Sequence, residues 1–130
     1  VSAERTSLIV YAVPLGPLGD QLDDYWHRAA PILPNAALAY PPHCTVTGFF
    51  HRRTEDVPGV VAAVERAVSD GGGSPAAPVV ERMVLDGSWF GLVLDAPTLV
   101  ALAERFARLA PTGPDDDPVR PKAHPHLSLA

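Results

Sequence analysis

One cysteine in 130 residues, Cys44, has no partner for an internal disulfide, so the fold cannot rest on cross-links. A lone thiol fits a reducing compartment, and a cytoplasmic protein is expected. Apolar runs are short: none approaches the roughly 20 residues of a membrane-spanning helix, and no signal peptide is visible at Val1. A soluble chain without a membrane partner is expected. Positive charge is scarce too, 10 Lys and Arg against 15 Asp and Glu, for a net charge of −5. With a pI near 5.4, this excludes the broad basic surface that grips long duplex nucleic acid and leaves room for a small phosphorylated ligand. At 47 % hydrophobic residues the chain can fill one ordinary core, so a single domain over residues 1–130, monomeric, is expected.

The elements alternate. Ser7 to Val13 is a run of β-formers closed by Pro14 and Gly16. Asp20 to Ala30 carries Leu22, Tyr25, Trp26 and Ala29 at helical spacing. His43 to Phe50 reads as a strand, and Thr54 to Val68 as a helix with Val57, Val60, Val61, Val64 and Val68 on one stripe. Ser69 to Pro78 is a glycine-rich link. Val79 to Leu85 and Ser88 to Leu94 flank Asp86-Gly87, a strong hairpin signal. Pro97 to Leu109 is a helix with proline in its first turn and Leu99, Leu102, Ala103, Phe106 and Leu109 on one face. Thr112 to Ala123 is a loop rich in proline and aspartate. The hairpin implies antiparallel pairing, so an α+β architecture is expected rather than a doubly wound parallel sheet.

Two short stretches repeat one chemical pattern, His43-Cys44-Thr45 and His126-Leu127-Ser128, each behind a proline, Pro42 and Pro125, and 83 residues apart. Residues i and i+2 of a strand share a face, so each strand offers an imidazole beside a hydroxyl. A single H-x-[ST] occurs readily by chance. Here the flanking chain repeats as well. At an offset of 80, Val13 falls on Val93, Pro17 on Pro97, Leu22 on Leu102, Trp26 on Phe106, Ala30 on Ala110 and Pro31 on Pro111, and the second motif carries three extra residues. Repeated halves predict a pseudo-twofold arrangement with the histidines facing across it. Two imidazoles converging on one small volume can serve as general base and general acid, which suits phosphodiester chemistry without an obligatory metal.

Pro-His-Cys-Thr-Val-Thr-Gly and Pro-His-Leu-Ser-Leu-Ala resemble the paired signatures of the two-histidine (2H) phosphoesterase superfamily, in order and spacing closest to the plant and fungal type of cyclic phosphodiesterase and to RNA ligase-like proteins. The resemblance spans about Leu8 to Ala130 and includes the Val-Tyr-Ala-Val-Pro and Trp89-Phe90-Gly91-Leu92-Val93-Leu94 strands. It implies a two-lobed, pseudo-symmetric fold with antiparallel sheets lining a central groove and helices outside. The activity implied is metal-independent hydrolysis of nucleoside 2′,3′-cyclic phosphates, RNA 2′,3′-cyclic ends or ADP-ribose 1″,2″-cyclic phosphate, with no cofactor. Carried over by residue, His43 and His126 are the acid and base, Thr45 and Ser128 hold phosphate oxygens, and Tyr11 sits where relatives place an aromatic at the substrate. Imidazole suits both roles because its ordinary pKa of about 6.5 allows both forms near neutrality, and a bell-shaped pH profile is expected. The second half stops at Ala130, whereas the first continues through Thr54 to Leu85, so the part that completes the second lobe in the family is expected to be missing here.

Duller readings compete. Thr45 and Ser128 also suit a strand structurally, Thr47 shares their face but reads as structural, and Tyr11 could pack in the core. His124 lies two residues before His126, has no hydroxyl at i+2, and is assigned to the surface or to support. His51-Arg52-Arg53 reads as a solvated turn, Trp89 and Phe90 as core, Asp115-Asp116-Asp117 as a solvent-exposed loop, and His27 as surface. Cys44 should point inside. Two other functions stay open: a non-catalytic nucleotide-binding module of the same fold, and a metal site using both histidines, for which only His124 is an obvious third ligand.

Overall fold

The computed structural model describes residues 4–32, 41–72, 78–87 and 89–129. The fold is α+β with antiparallel sheets and, among the described residues, three α-helices. In chain order the elements are β1 (Arg5–Leu8), β2 (Tyr11–Ala12), α1 (Gly16–Ala29), β3 (Cys44–Thr45), β4 (Phe50–Arg53), α2 (Val57–Asp70), β5 (Val79–Asp86), β6 (Trp89–Asp95), α3 (Pro97–Leu109) and β7 (His126–Ser128). Five strands form one sheet in the order β2-β3-β7-β6-β5, and β1 and β4 form a separate ribbon. Residues 73–77 of the expected Ser69–Pro78 link, and Ser88, lie outside the described residues. No helix among the described residues is long and apolar enough to cross a membrane.

Each of the first two expected strands is split in two. The chain pairs Leu8 with Phe50 in the ribbon and Tyr11 with Thr45 in the large sheet, so two residues on one side, Ile9 and Val10, face four on the other, 46–49. The excess is absorbed as a bulge. Val10 O accepts from both Val46 N, at 2.8 Å, and Thr47 N, at 3.1 Å. Val10 N donates to Thr47 Oγ1 at 3.2 Å, which makes the fully buried Thr47 structural. The displaced backbone pairs with the segment before β7 instead, through Gly48 N to Arg120 O and Lys122 N to Val46 O. That second partner, set by tertiary contact, is why alternation alone predicts one strand where there are two.

The hairpin forms as its signal predicts: Asp86 pairs with Trp89, and Gly87 has φ +57, a left-handed conformation that glycine adopts without a Cβ clash. Helix α3 occupies the expected residues and buries Leu99, Leu102, Ala103 and Phe106. Helix α2 keeps Val60, Val64 and Val68 of its expected stripe against the core, with the buried face turned toward its alanines. It buries Val60, Ala63 and Ala67, while Val61 is exposed. The alanines let α2 approach α3 closely, and Arg105 of α3 donates Nε to Ala67 O at 3.0 Å. Phe50 and Phe106, both buried, meet at 6.0 Å between ring centroids in the core that also holds Cys44, Leu92 and Leu127. Tyr25 of α1 donates its hydroxyl to Leu129 O at 3.0 Å, tying α1 to the end of β7.

The basic triplet is not a solvated turn. His51, Arg52 and Arg53 lie within β4, and Arg52 is fully buried. Its guanidinium donates Nε to Pro111 O at 2.8 Å, Nη1 to His51 O at 2.7 Å and Asp117 O at 2.8 Å, and Nη2 to Thr112 Oγ1 at 3.1 Å, with Cζ 5.2 Å from the Phe50 ring centroid. The aspartate loop is likewise more than a solvated stretch. Asp116 is largely covered and accepts from Gly113 N at 2.7 Å and Arg5 Nη2 at 2.6 Å. Asp117 accepts from His51 N at 2.9 Å. The loop that leads from α3 toward β7 is therefore held to β4 by one buried cation and its neighbours.

Replacing Arg52 by Leu leaves three carbonyls without that donor, and should lower stability by about 3 kcal/mol, with Lys, which lacks the planar fork, recovering less than half. Urea midpoints measured at neutral pH check this; an unchanged midpoint would mean the loop is held by other contacts. Hydrogen bonds from the Gly113 amide and then the Arg5 side chain hold Asp116 below the usual carboxylate range, and the His51 amide does the same for Asp117. A depressed folded value means stability that is complete above the ordinary carboxylate pKa of about 3.9 and is lost as pH falls through the lower folded values. Urea midpoints followed downward from pH 5 should fall in that window, and the decline should flatten in the double variant Asp116→Asn, Asp117→Asn.

Candidate functional site

The site is built on one pairing. In the centre of the sheet, Cys44 of β3 stands opposite Leu127 of β7, antiparallel, and both side chains are buried in the helix-covered core at 4 % and 1 % exposure. Alternation sends their neighbours to the other face. His43 is thereby set across from Ser128 and Thr45 across from His126, and all four are half-buried. Opposed residues in such a pair have Cβ atoms about 5 Å apart, so two imidazoles and two hydroxyls occupy one small patch, crosswise. Burial pushes the Cys44 thiol up, opposed by a hydrogen bond from the His126 backbone, as befits a packing residue behind the site.

The backbone beside each motif makes an equivalent bond. Val46 N donates to Val10 O, and Leu129 N to Phe90 O, both at 2.8 Å, which is the same bond displaced by the repeat. The histidines are held alike. His43 Nδ1 lies 2.9 Å from Pro41 O, and His126 Nδ1 lies 3.4 Å from His124 O. A carbonyl oxygen only accepts, so in each neutral ring the hydrogen belongs on Nδ1 and the lone pair on Nε2. Each imidazole also has an aromatic neighbour. The Tyr11 ring is 4.9 Å from His43, and the Trp89 ring is 5.4 Å from His126 and nearly perpendicular to it, at 88°.

Tyr11 is 44 % exposed, not core-packed. Register explains its place, because it stands opposite Thr45. Gly91 holds the corresponding place opposite Ser128. It leaves empty the space a Cβ would fill, and the Trp89 indole folds into that space: a Cβ built on Gly91 would collide with Trp89 Cζ2 and lie 2.7 Å from Leu127 O. From there Trp89 Nε1 donates to Ser128 Oγ at 2.9 Å. Trp89 is half-buried on the site face, whereas Phe90 packs against the core as expected. The sequence signal for Trp89 is the glycine two residues later, at the repeat equivalent of Tyr11.

The other polar residues fall outside this patch. His124 is exposed and lends only its carbonyl. His51 Nδ1 lies 3.2 Å from Asp117 Oδ2, and His27 on α1 has Nδ1 2.7 Å from Asp23 O. Among the described residues, no three His, Cys, Asp or Glu side chains are gathered as a metal ion would require. Tyr11 also lines an apolar groove of about 350 Å³ with Leu8, Val10, Val57, Val61 and Val64. In comparison with known proteins, no family model matches the chain, and no curated protein or solved structure matches it.

The close approach at Gly91 is testable. Gly91→Ala forces the indole off Ser128, and should cost about 1–3 kcal/mol through overpacking. Near-ultraviolet circular dichroism should lose the Trp89 contribution, with Trp26→Phe used to separate the two tryptophans; an unaltered spectrum would mean the indole is seated elsewhere.

Proposed function

We propose that the chain is a metal-independent cyclic phosphodiesterase of the 2H type, acting on a small cyclic phosphate such as a nucleoside 2′,3′-cyclic phosphate, an RNA 2′,3′-cyclic end or ADP-ribose 1″,2″-cyclic phosphate. The observation that carries this reading is the crosswise pairing of two imidazoles and two hydroxyls about Cys44 and Leu127. A cyclic phosphate needs a proton removed at one side of phosphorus and delivered at the other. One neutral imidazole takes a proton from water through Nε2 as the water oxygen bonds to phosphorus. The ribose oxygen then departs with the electron pair of the broken P–O bond and receives a proton from the second, charged imidazole. The histidines end with their roles exchanged, and the product is a phosphate monoester beside a free hydroxyl. Thr45 and Ser128 donate to the non-bridging oxygens as negative charge grows there.

Tyr11, exposed beside His43, is suited to pack against the sugar or base. Two aromatic neighbours, one per histidine, flank the patch. The net charge of −5 suits a small ligand held by local groups rather than a long polyanion held by a surface field.

The test is incubation of the purified chain with 2′,3′-cyclic nucleotides and ADP-ribose 1″,2″-cyclic phosphate in excess chelator, with the phosphate isomers resolved. Turnover giving one isomer is expected, with a bell-shaped pH profile. His43→Ala and His126→Ala should each lower kcat by about 10²–10⁴-fold, and Thr45→Ala or Ser128→Ala by about 10²-fold. Binding of 2′- or 3′-AMP without any turnover would replace the hydrolase reading by a nucleotide-binding module.

A further inference from the structure

The two hydroxyls of the site are not equivalent, although the motifs that carry them are. Thr45 stands opposite Tyr11, whose ring rests against His43. Ser128 stands opposite Gly91, and its oxygen accepts the Trp89 indole N–H at 2.9 Å. A serine hydroxyl has one hydrogen and two lone pairs, and an indole N–H can only donate. Once a lone pair of Ser128 Oγ takes the indole hydrogen, the O–H cannot point back at Trp89 and is directed elsewhere. The indole is itself seated by the missing Cβ of Gly91 and by the edge contact with His126 at 5.4 Å. Three residues therefore act on one rotor.

We infer that Trp89 is a positioning residue for the reaction proposed above, orienting the Ser128 hydroxyl so that its single hydrogen is donated to a phosphoryl oxygen, with Gly91 providing the room. The inference rests on the hydrolase reading and adds a defined inequality between the two motifs. In the second half the donor is oriented before the substrate arrives, and that spares reorganisation as charge develops. The indole N–H touches Ser128, not the substrate, so its effect passes through the serine. The indole fixes a direction that the ground state scarcely uses, so the loss belongs in kcat and not in KM.

A double-mutant cycle decides it. Trp89→Phe keeps a ring against His126 and above Gly91 but removes the N–H. It should lower kcat about 10-fold, the equivalent of one hydrogen bond, with KM changed less than about 2-fold. In a Ser128→Ala background the same substitution should cost nothing further, whereas in a Thr45→Ala background it should cost the full factor. A merely structural role would lower activity equally in both backgrounds, and equal losses would overturn the inference while leaving the hydrolase reading intact. Folding of each variant is checked by ¹H–¹⁵N spectra. In the wild type the Trp89 indole N–H, assigned with Trp26→Phe, should shift upfield on Ser128→Ala, and an unshifted resonance would also overturn the inference. If the wild type neither turns over 2′,3′-cyclic AMP nor binds 3′-AMP, the hydrolase reading falls and this inference falls with it.

Discussion

The antiparallel pairing of β3 with β7 at Cys44 and Leu127 is the constraint on which the site depends. These are residues 83 positions apart in sequence, and each lies between a histidine and a hydroxyl residue. Burying the central pair in the core leaves their neighbours no choice of face, because strand side chains alternate. A slip of one residue in either strand would carry that strand's histidine into the apolar interior and bring its Cys44 or Leu127 out. The hydrophobic effect thus sets the register, and the register sets the chemistry of the exposed face. The residues behind the site belong to its construction as much as those on it.

That pairing has to be delivered by a long chain excursion, and the buried guanidinium of Arg52 is the main device on the way. The loop between α3 and β7 is rich in proline and aspartate, and most of its residues are exposed, Val119 being buried. Arg52 satisfies the carbonyls of Pro111 and Asp117 from inside, and Arg5 holds Asp116 from the edge of the ribbon. A charge so placed is tolerable only because its donors are met by oxygen acceptors. The same ribbon fixes the bulge at Val46 and Thr47, where β3 ends and the segment 120–122 takes over as backbone partner. Order in the loop and termination of the motif strand have a common cause.

Local likeness in the backbone around the two motifs coexists with asymmetry in the side chains. The bonds Val46 to Val10 and Leu129 to Phe90, the Nδ1 contacts and the aromatic neighbours recur at the two motifs on either side of the junction of β3 and β7. The difference lies at one pair of positions, Tyr11 against Gly91. A phenol placed opposite Thr45 is replaced by a void opposite Ser128, and the void is filled by an indole from two residues earlier.

Much of this was legible in the sequence, for reasons that are local. Helix α3 was readable from its proline and its apolar spacing, the β5–β6 hairpin from Asp86-Gly87, the inward direction of Cys44 from alternation, and the two motifs and their repeat from the residues themselves. What was not legible depends on partners far away in the chain. Alternation does not reveal that a bulge splits two strands, since the alternative partner at 120–122 is more than seventy residues distant. Composition does not distinguish a solvated arginine from Arg52, because burial depends on which carbonyls surround it. Nor does a valine stripe say which face of α2 meets α3 when alanines permit a closer approach. By itself the sequence determined which residues alternate, which turn, and which pairs of imidazole and hydroxyl share a strand face. Only the tertiary structure decided that the two strands are neighbours, that their register crosses the pairs, and that Trp89 rather than a residue of either motif reaches Ser128. Backbone propensity acts over a few residues, whereas register and packing are settled by burial across the whole chain.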